Sequence, residues 1–296
     1  MEEIKRKAYA KINLGLDVIR KRSDGYHEVK MVMQTVDIYD ELIFRKSSET
    51  GIFLSVDMSA DLSGSRADVP ANQDNLVYKA AALVMQEYKI NDGVEIMLKK
   101  NIPVAAGMAG GSTNAAAVFH GLSELFEINM ASEQMQAMGV RLGADIPYCI
   151  VGGTALSEGI GEVLTYLPAP PECVLAVVKP DISVSTKFVY ENLHLEQLKE
   201  HPDIDGMVTA IKTGNLSGIT ERMGNVLETV TVREYPVITD IKEAMLENGA
   251  ENALMSGSGP TVFGVFRKKA DAENAVEKIK AAGLAKQLFV TGFCTP

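Results

Sequence analysis

The 296-residue sequence has no tryptophan and only three cysteines, Cys149, Cys173 and Cys294. Three widely spaced thiols form no CxxC pair for zinc and no even-numbered set of bridges, which excludes a disulfide-stapled scaffold. They read as reduced thiols packed as small hydrophobic groups. No apolar run approaches the roughly 18 residues that a bilayer span needs. The start, Met1-Glu2-Glu3, has no basic stretch backed by an apolar segment, so no signal peptide is expected. A cytoplasmic location follows as the expectation. Basic residues are also in deficit, giving a net charge of -10. That argues against a nucleic-acid binder, which presents a basic face. It does not exclude a phosphate site, because a few local lysines and backbone N–H groups can hold a nucleotide inside a negative whole-molecule field.

What is present is core-forming material. Hydrophobic residues make up 46% of the chain and charged residues 23%, the composition of an ordered globular protein with one large domain or two lobes. Residues 41–45, 52–56 and 94–98 alternate or are β-branched and predict strands. Between them, Asp74 or Asn75 can cap a helix whose Leu76, Ala80, Leu83 and Val84 share one face. Residues 115–126 predict a helix, with Phe119, Leu122, Leu125 and Phe126 at spacings of three and four. Ser132 is expected to cap a further helix that stops at Gly143, after which Pro147 should push Ile146 out of helical geometry.

The proline-rich stretch at 167–171 marks the expected boundary between two domains, 1–166 and 167–296. Beyond it the pattern predicts a strand at 174–178 and helices near 186–193, 203–213, 216–229 and 237–248. Strands at 253–256 and 261–266, a helix at 271–282 and a strand at 287–291 complete it. That order resembles a split βαβ, ferredoxin-like lobe with extra helices. The fold class is α+β, in two lobes.

The chemistry concentrates in eleven mostly small residues between a strand and a helix: Pro103, Val104, Ala105, Ala106, Gly107, Met108, Ala109, Gly110, Gly111, Ser112 and Thr113. Small side chains let backbone approach a ligand closely, and glycines reach φ > 0. The helix start just beyond adds unpaired N–H groups and a positive dipole end, both suited to phosphate. Ser112 and Thr113 can offer hydroxyls to a phosphate or its Mg²⁺. No Gly-Lys-Ser/Thr follows, so this is not a Walker A loop, and GxGxxG is absent, so it is not the dinucleotide fingerprint.

The loop resembles the ATP loop of the GHMP kinases, the family of galactokinase, homoserine kinase and mevalonate kinase. Four further blocks carry the resemblance in the same order and spacing: Ala10-Lys11-Ile12-Asn13-Leu14, Asp24-Gly25-Tyr26-His27-Glu28, Gly143-Ala144-Asp145-Ile146-Pro147 and Ser256-Gly257-Ser258-Gly259-Pro260. It runs nearly end to end. It implies a two-lobed GHMP kinase fold, with an N-terminal ATP-binding lobe and a C-terminal ferredoxin-like lobe, using ATP and Mg²⁺.

Residue by residue, the resemblance implies that Lys11 lies beside Asp145 and helps it to accept a proton from the acceptor hydroxyl. A lone strand lysine or a post-helix aspartate would otherwise read as surface and turn residues. Many relatives carry Ser-Asp where this chain has Thr113-Asn114. An asparagine cannot act as a base, which leaves Asp145 without a rival in the matched motifs. Met108 in place of the usual leucine is close to volume-conserving. The Asp-Gly-Tyr-His block implies a cytosine pocket for a substrate bearing a cytidine diphosphate group, with Tyr26 stacking on the base and His27 bonding its polar edge. Such a stack contributes ~1–3 kcal/mol. Tyr190 is the candidate for the opposite face, and Asn13 is a further substrate contact. Gly257 and Ser258 are expected on the substrate's phosphate side, and Asn75 and Leu76 at the adenine. No residue is assigned to a protein-held metal. Two alternatives remain open at this level: a GHMP kinase for homoserine or mevalonate, and a non-catalytic binding module on the same fold. Retention of both Lys11 and Asp145 speaks against the second.

Overall fold

The computed structural model describes residues 3–59 and 69–295. Met1 and Glu2, on which the reading of the N-terminal start partly rests, lie outside them. Contacts divide the chain into two compact units that interleave in sequence. The first comprises Met1–Ala10, Ile38–Val104 and Ala109–Gly152, and the second Lys11–Asp37, Ala105–Met108 and Gly153–Pro296. The boundary expected at residue 167 falls inside the second.

Two long strands, β1 (Glu3–Lys21) and β2 (His27–Ser47), each run from one unit into the other. A turn joins them, closed by Arg22 N donating to Tyr26 O at 2.8 Å, with Gly25 at φ 90°. The sequence reading took Lys11 as a strand residue and otherwise gave bounds only for residues 41–45 of this pair. In β1 the even positions Ala8, Ala10, Ile12, Leu14, Leu16 and Val18 are buried apolar groups. Period-two geometry sends the odd positions to the other face, and there Lys11, Asn13 and Asp17 are buried as well. A strand buried on both faces, one of them polar, shows little of the apolar–polar contrast that sequence patterns detect.

In the first unit, β3 (Ile52–Asp57) pairs parallel with β4 (Gly93–Lys99), and β4 pairs antiparallel with residues 41–47 of β2. Four helices complete it: α1 (Leu76–Glu87), α2 (Gly110–Leu125), α3 (Ser132–Gly139) and α4 (Ile146–Val151). Their apolar faces meet the sheet in one core that includes Phe44, Ile96, Leu98, Val77, Val84, Val118, Phe119 and Ile146. Asn75 caps α1 as expected, its Oδ1 accepting from Val77 N at 2.9 Å.

Three local expectations are corrected. The N-cap of α3 is Ala131, not Ser132, and Gln134 Oε1 takes up the Ala131 N–H at 3.0 Å. That helix ends at Gly139, and tighter turns carry the chain to Gly143. Ile146 is already helical. Pro147 sits in the first turn of α4, where its missing N–H would have had no partner in any case.

In the second unit, residues 31–34 of β2 pair antiparallel with β5 (Thr154–Glu158), which pairs with β6 (Val163–Leu167). After β7 (Val174–Lys179) come α5 (Thr186–Glu191), α6 (Ile204–Lys212) and α7 (Leu216–Thr220). The helix expected over 216–229 is broken. The two-residue strand β8 (Gly224–Asn225) intervenes and pairs parallel with Gly15 and Leu16 of β1, and α8 (Glu228–Glu234) follows. Then come α9 (Val237–Glu247), β9 (Asn252–Met255), β10 (Val262–Phe266), α10 (Lys269–Ala281) and β11 (Gln287–Thr291).

The last sheet is antiparallel in the order β11-β7-β10-β9. Helices connect β7 to β9 and β10 to β11, the split βαβ arrangement expected from the sequence. None of the three cysteines is in a disulfide, and burial pushes the Cys173 thiol up to about 12. No helix among the described residues is long and apolar enough to cross a membrane.

Candidate active site

The glycine-rich segment enters α2 through alternating backbone signs. Ala105 (φ 51°), Gly107 (φ 69°) and Ala109 (φ 56°) are left-handed. Two of the three are alanines, for which this region is strained. Gly110 and Gly111, expected to exploit φ > 0, are instead the first two residues of the helix. Gly110 packs closely: a Cβ there would stand 3.2 Å from Ile102 Cγ2 and 3.3 Å from Lys100 Nζ. The first turn of α2 carries no acidic residue and no side-chain cap. Its N–H groups and positive dipole end are therefore left for an anion, and the segment fits a nucleotide phosphate chain.

Within the first unit, a buried ion pair lies behind this helix start. Lys100 donates to Asp40 Oδ2, and both are sequestered from solvent. Asp40 Oδ1 also accepts the N–H groups of Asn101 (2.6 Å) and Ile102 (2.8 Å), fixing the lead-in to Pro103. A cation at a helix N-terminus has the wrong sign for the helix and the right sign for a bound phosphate. Neither residue was singled out from sequence. The available signal was a lysine three residues before the small-residue run.

The other expected residues of this unit are placed as follows. Leu76 borders the loop, its Cδ1 3.4 Å from where a Gly111 Cβ would stand. Asn75 is committed to its own helix start, its Nδ2 donating to Pro70 O at 2.7 Å and its Oδ1 capping α1. Thr113 does not present its hydroxyl proton to the loop, but donates it to Tyr9 O at 2.6 Å. Ser112 remains half-buried at the helix start. Asn114 is buried, and its Oδ1 has no hydrogen-bond partner among the described residues. Asp145 is the half-buried N-cap residue of α4, and its side chain makes no cap bond to that helix.

Within the second unit, Lys11, Asn13, Gly107, Met108 and Gly257 come together. Lys11 Nζ donates to Asn13 Oδ1 at 2.7 Å, and Lys11 N donates to Met108 O at 3.2 Å. Asn13 Nδ2 lies 3.2 Å from Met31 Sδ. A Cβ on Gly257 would be 3.3 Å from Gly107 O and 3.5 Å from Asn13 Oδ1. Ser258 Oγ and Thr186 Oγ1 are hydrogen-bonded at 2.8 Å.

Also in this unit, the rings of His27 and Tyr190 pack 5.1 Å apart at 36°. Tyr190 therefore packs on His27, while Tyr26 projects from the turn with 61% of its surface exposed. The imidazole of His27 is held below its ordinary pKa of 6.5, chiefly by burial and secondarily by the Lys21 charge. No group of three or more His, Cys, Asp or Glu side chains that could hold a metal occurs among the described residues.

A phosphate-type helix start, a lysine oriented on a buried strand face and a ferredoxin-like sheet together define a small-molecule kinase architecture. Two family models match the chain: GHMP kinases N terminal domain over residues 75–153, and GHMP kinases C terminal over residues 207–285. A curated 4-diphosphocytidyl-2-C-methyl-D-erythritol kinase of Lachnoclostridium phytofermentans is 50% identical over 293 residues, covering 99% of this chain and 98% of that protein. The crystal structure of a 4-(cytidine 5'-diphospho)-2C-methyl-D-erythritol kinase superposes with a TM-score of 0.82 at 29% identity, covering 99% of this chain and all of that one. A homoserine kinase from Cytophaga hutchinsonii reaches a TM-score of 0.77 at 20% identity, with 100% of this chain and 95% of that chain covered, and shares the fold. The chain belongs to the GHMP kinases and, within them, to the 4-diphosphocytidyl-2-C-methyl-D-erythritol kinase family.

Proposed function

We propose that the protein transfers the γ-phosphoryl group of ATP to the 2-hydroxyl of 4-diphosphocytidyl-2-C-methyl-D-erythritol, a step of non-mevalonate isoprenoid synthesis in the cytoplasm. The full-length identity of 50% to a curated enzyme of that name carries the reading. The uncapped start of α2 and the Lys11–Asn13 pair support it. Backbone N–H groups at 109–112 cradle the phosphates, with the Lys100 charge behind them. Mg²⁺, when bound with the nucleotide, would supply charge neutralisation at the phosphates. The Ser112 hydroxyl, half-buried at the helix start, would be one oxygen ligand for it.

Leu76 borders the nucleotide at the helix start. The cytidine diphosphate end of the acceptor is recognised by the Tyr26, His27 and Tyr190 rings, with Gly257 and Ser258 toward its phosphates. Asp145 takes the proton of the acceptor hydroxyl. Lys11, oriented by Asn13, stabilises the charge that develops there. Phosphoryl transfer is mostly positioning and charge stabilisation, so this small set of side chains suffices. In this reading the residues up to 166 supply the ATP-binding lobe and the remainder the ferredoxin-like lobe.

Release of ADP with the cytidine-bearing polyol, homoserine and mevalonate as competing acceptors tests the proposal. Turnover with the polyol alone is expected, because a small aliphatic alcohol has no base to stack. Turnover with homoserine or mevalonate alone would overturn it.

A further inference from the structure

The turn between β9 and β10 is bolted to the phosphate loop by contacts inside the second unit. The Ser256 hydroxyl, fully buried, donates to Gly107 O at 3.0 Å. A Cβ on Gly107 would stand 2.3 Å from Ser256 O and 3.1 Å from Gly259 O, so the two segments meet backbone to backbone. The turn is closed on itself by Ser256 N donating to Thr261 O and Gly259 N donating to Ser256 O, both at 2.9 Å.

Asn225 in turn fixes this turn. Its Nδ2 donates to Met255 O and to Gly257 O, both at 2.8 Å, and its Oδ1 accepts from Leu227 N at 3.0 Å. Both amide hydrogens and the carbonyl are thus engaged in a site that is 7% exposed. Asn225 pairs in register with Leu16 of β1, the strand that carries Lys11 and Asn13. That same strand holds the loop directly, through Lys11 N to Met108 O. The segment 105–108 is therefore held to β1 at two consecutive residues, Met108 directly and Gly107 by way of Ser256 and Asn225. Ala105, left-handed at the head of this segment, is strained and keeps that conformation only while its surroundings over-determine it.

We infer that Asn225 and Ser256 form a latch that holds the phosphate loop in register with Lys11, making both positioning residues for phosphoryl transfer. The inference rests on the kinase reading above. Neither side chain touches the reacting atoms. The latch acts through the loop backbone, so its loss misaligns the γ-phosphoryl group without removing a binding contact.

The test compares wild type with Ser256→Ala, Ser256→Thr and Asn225→Asp. Asn225→Asp sets a carboxylate against two carbonyl oxygens, so if it fails to fold, the two serine variants decide. Ser256→Ala is expected to lower kcat about tenfold, the scale of one lost hydrogen bond. KM for the acceptor should change less than twofold and Ser256→Thr should restore kcat. Unchanged kcat in folded Ser256→Ala, with only a lowered Tm, would reduce the latch to a stabilising contact and overturn the inference. A second readout needs no acceptor: amide hydrogen exchange at 256–259 with a non-hydrolysable ATP analogue and Mg²⁺. Protection by the nucleotide in wild type and its loss in Ser256→Ala supports the latch even if the acceptor has been misassigned. Equal protection in both proteins contradicts it even if the acceptor is right.

Discussion

The ammonium of Lys11 donates to the carboxamide oxygen of Asn13 across 2.7 Å, two residues apart on one face of β1 and both buried. Strand geometry alone places them on the same side, so the pair is set by the alternation of the sequence. Lys11→Met removes a charge needed only as the transition state develops, and kcat should fall by roughly 10²–10³. Asn13→Ala keeps the charge but removes the acceptor that orients it, and should cost about tenfold in kcat. KM for ATP should hold nearly constant in both variants. Steady-state kinetics with each substrate varied in turn checks the split. A rise in KM with kcat intact would place Lys11 in binding instead.

His27 predicts a pH dependence with a definite sign. Its imidazole is held below the ordinary 6.5 by burial first and the Lys21 charge second. The unfolded chain therefore binds the proton more readily, and the folded protein favours the neutral ring. Any stability linked to His27 is fully present above 6.5 and is lost as pH falls through the lower, folded value. Neutral imidazole is the form packed on Tyr190, so KM for the cytidine-bearing acceptor should be flat above pH 6.5. It should rise in more acidic buffer, and His27→Gln should flatten that rise. A KM that improves on acidification would reverse the sign.

The Lys100–Asp40 pair separates stability from nucleotide binding. Lys100→Met leaves a buried carboxylate without its cation and should destabilise the protein by about 3–5 kcal/mol, measurable by urea unfolding. The two backbone N–H groups still held by Asp40 favour the lower end. The double variant Lys100→Met, Asp40→Asn removes both charges and should recover most of that loss. It should not recover ADP affinity, measured by titration calorimetry, because the charge behind the helix start is gone. Full recovery of affinity would make the pair purely structural.

The parts legible in the sequence were those whose local chemistry agrees with the fold. Asn75 caps α1 because its carboxamide reaches Val77 N, a contact set by neighbouring residues. The β7–β11 sheet was legible because its strands are short, apolar and punctuated by turns. The full lengths of the long strands β1 and β2 were not, since Lys11, Asn13 and Gln34 occupy buried positions that a polarity pattern assigns to solvent. Ile146 was misjudged for a different reason: proline disfavours helix in the residue before it, but a first-turn position tolerates both. At the site, the loop and the Lys11, Tyr26 and Asp145 blocks stood out as motifs. Lys100, Asp40 and Asn225 did not, because their roles come from hydrogen bonds to residues 30 to 62 positions away.

The most direct measurement follows the product itself. The protein, ATP, Mg²⁺ and 4-diphosphocytidyl-2-C-methyl-D-erythritol are incubated, and the new phosphorus resonance is assigned by its couplings. The account predicts one phosphomonoester, on the 2-hydroxyl, formed with one ADP per turnover and abolished in Asp145→Ala while ADP still binds. A phosphomonoester at another hydroxyl, or undiminished product from Asp145→Ala, would contradict it.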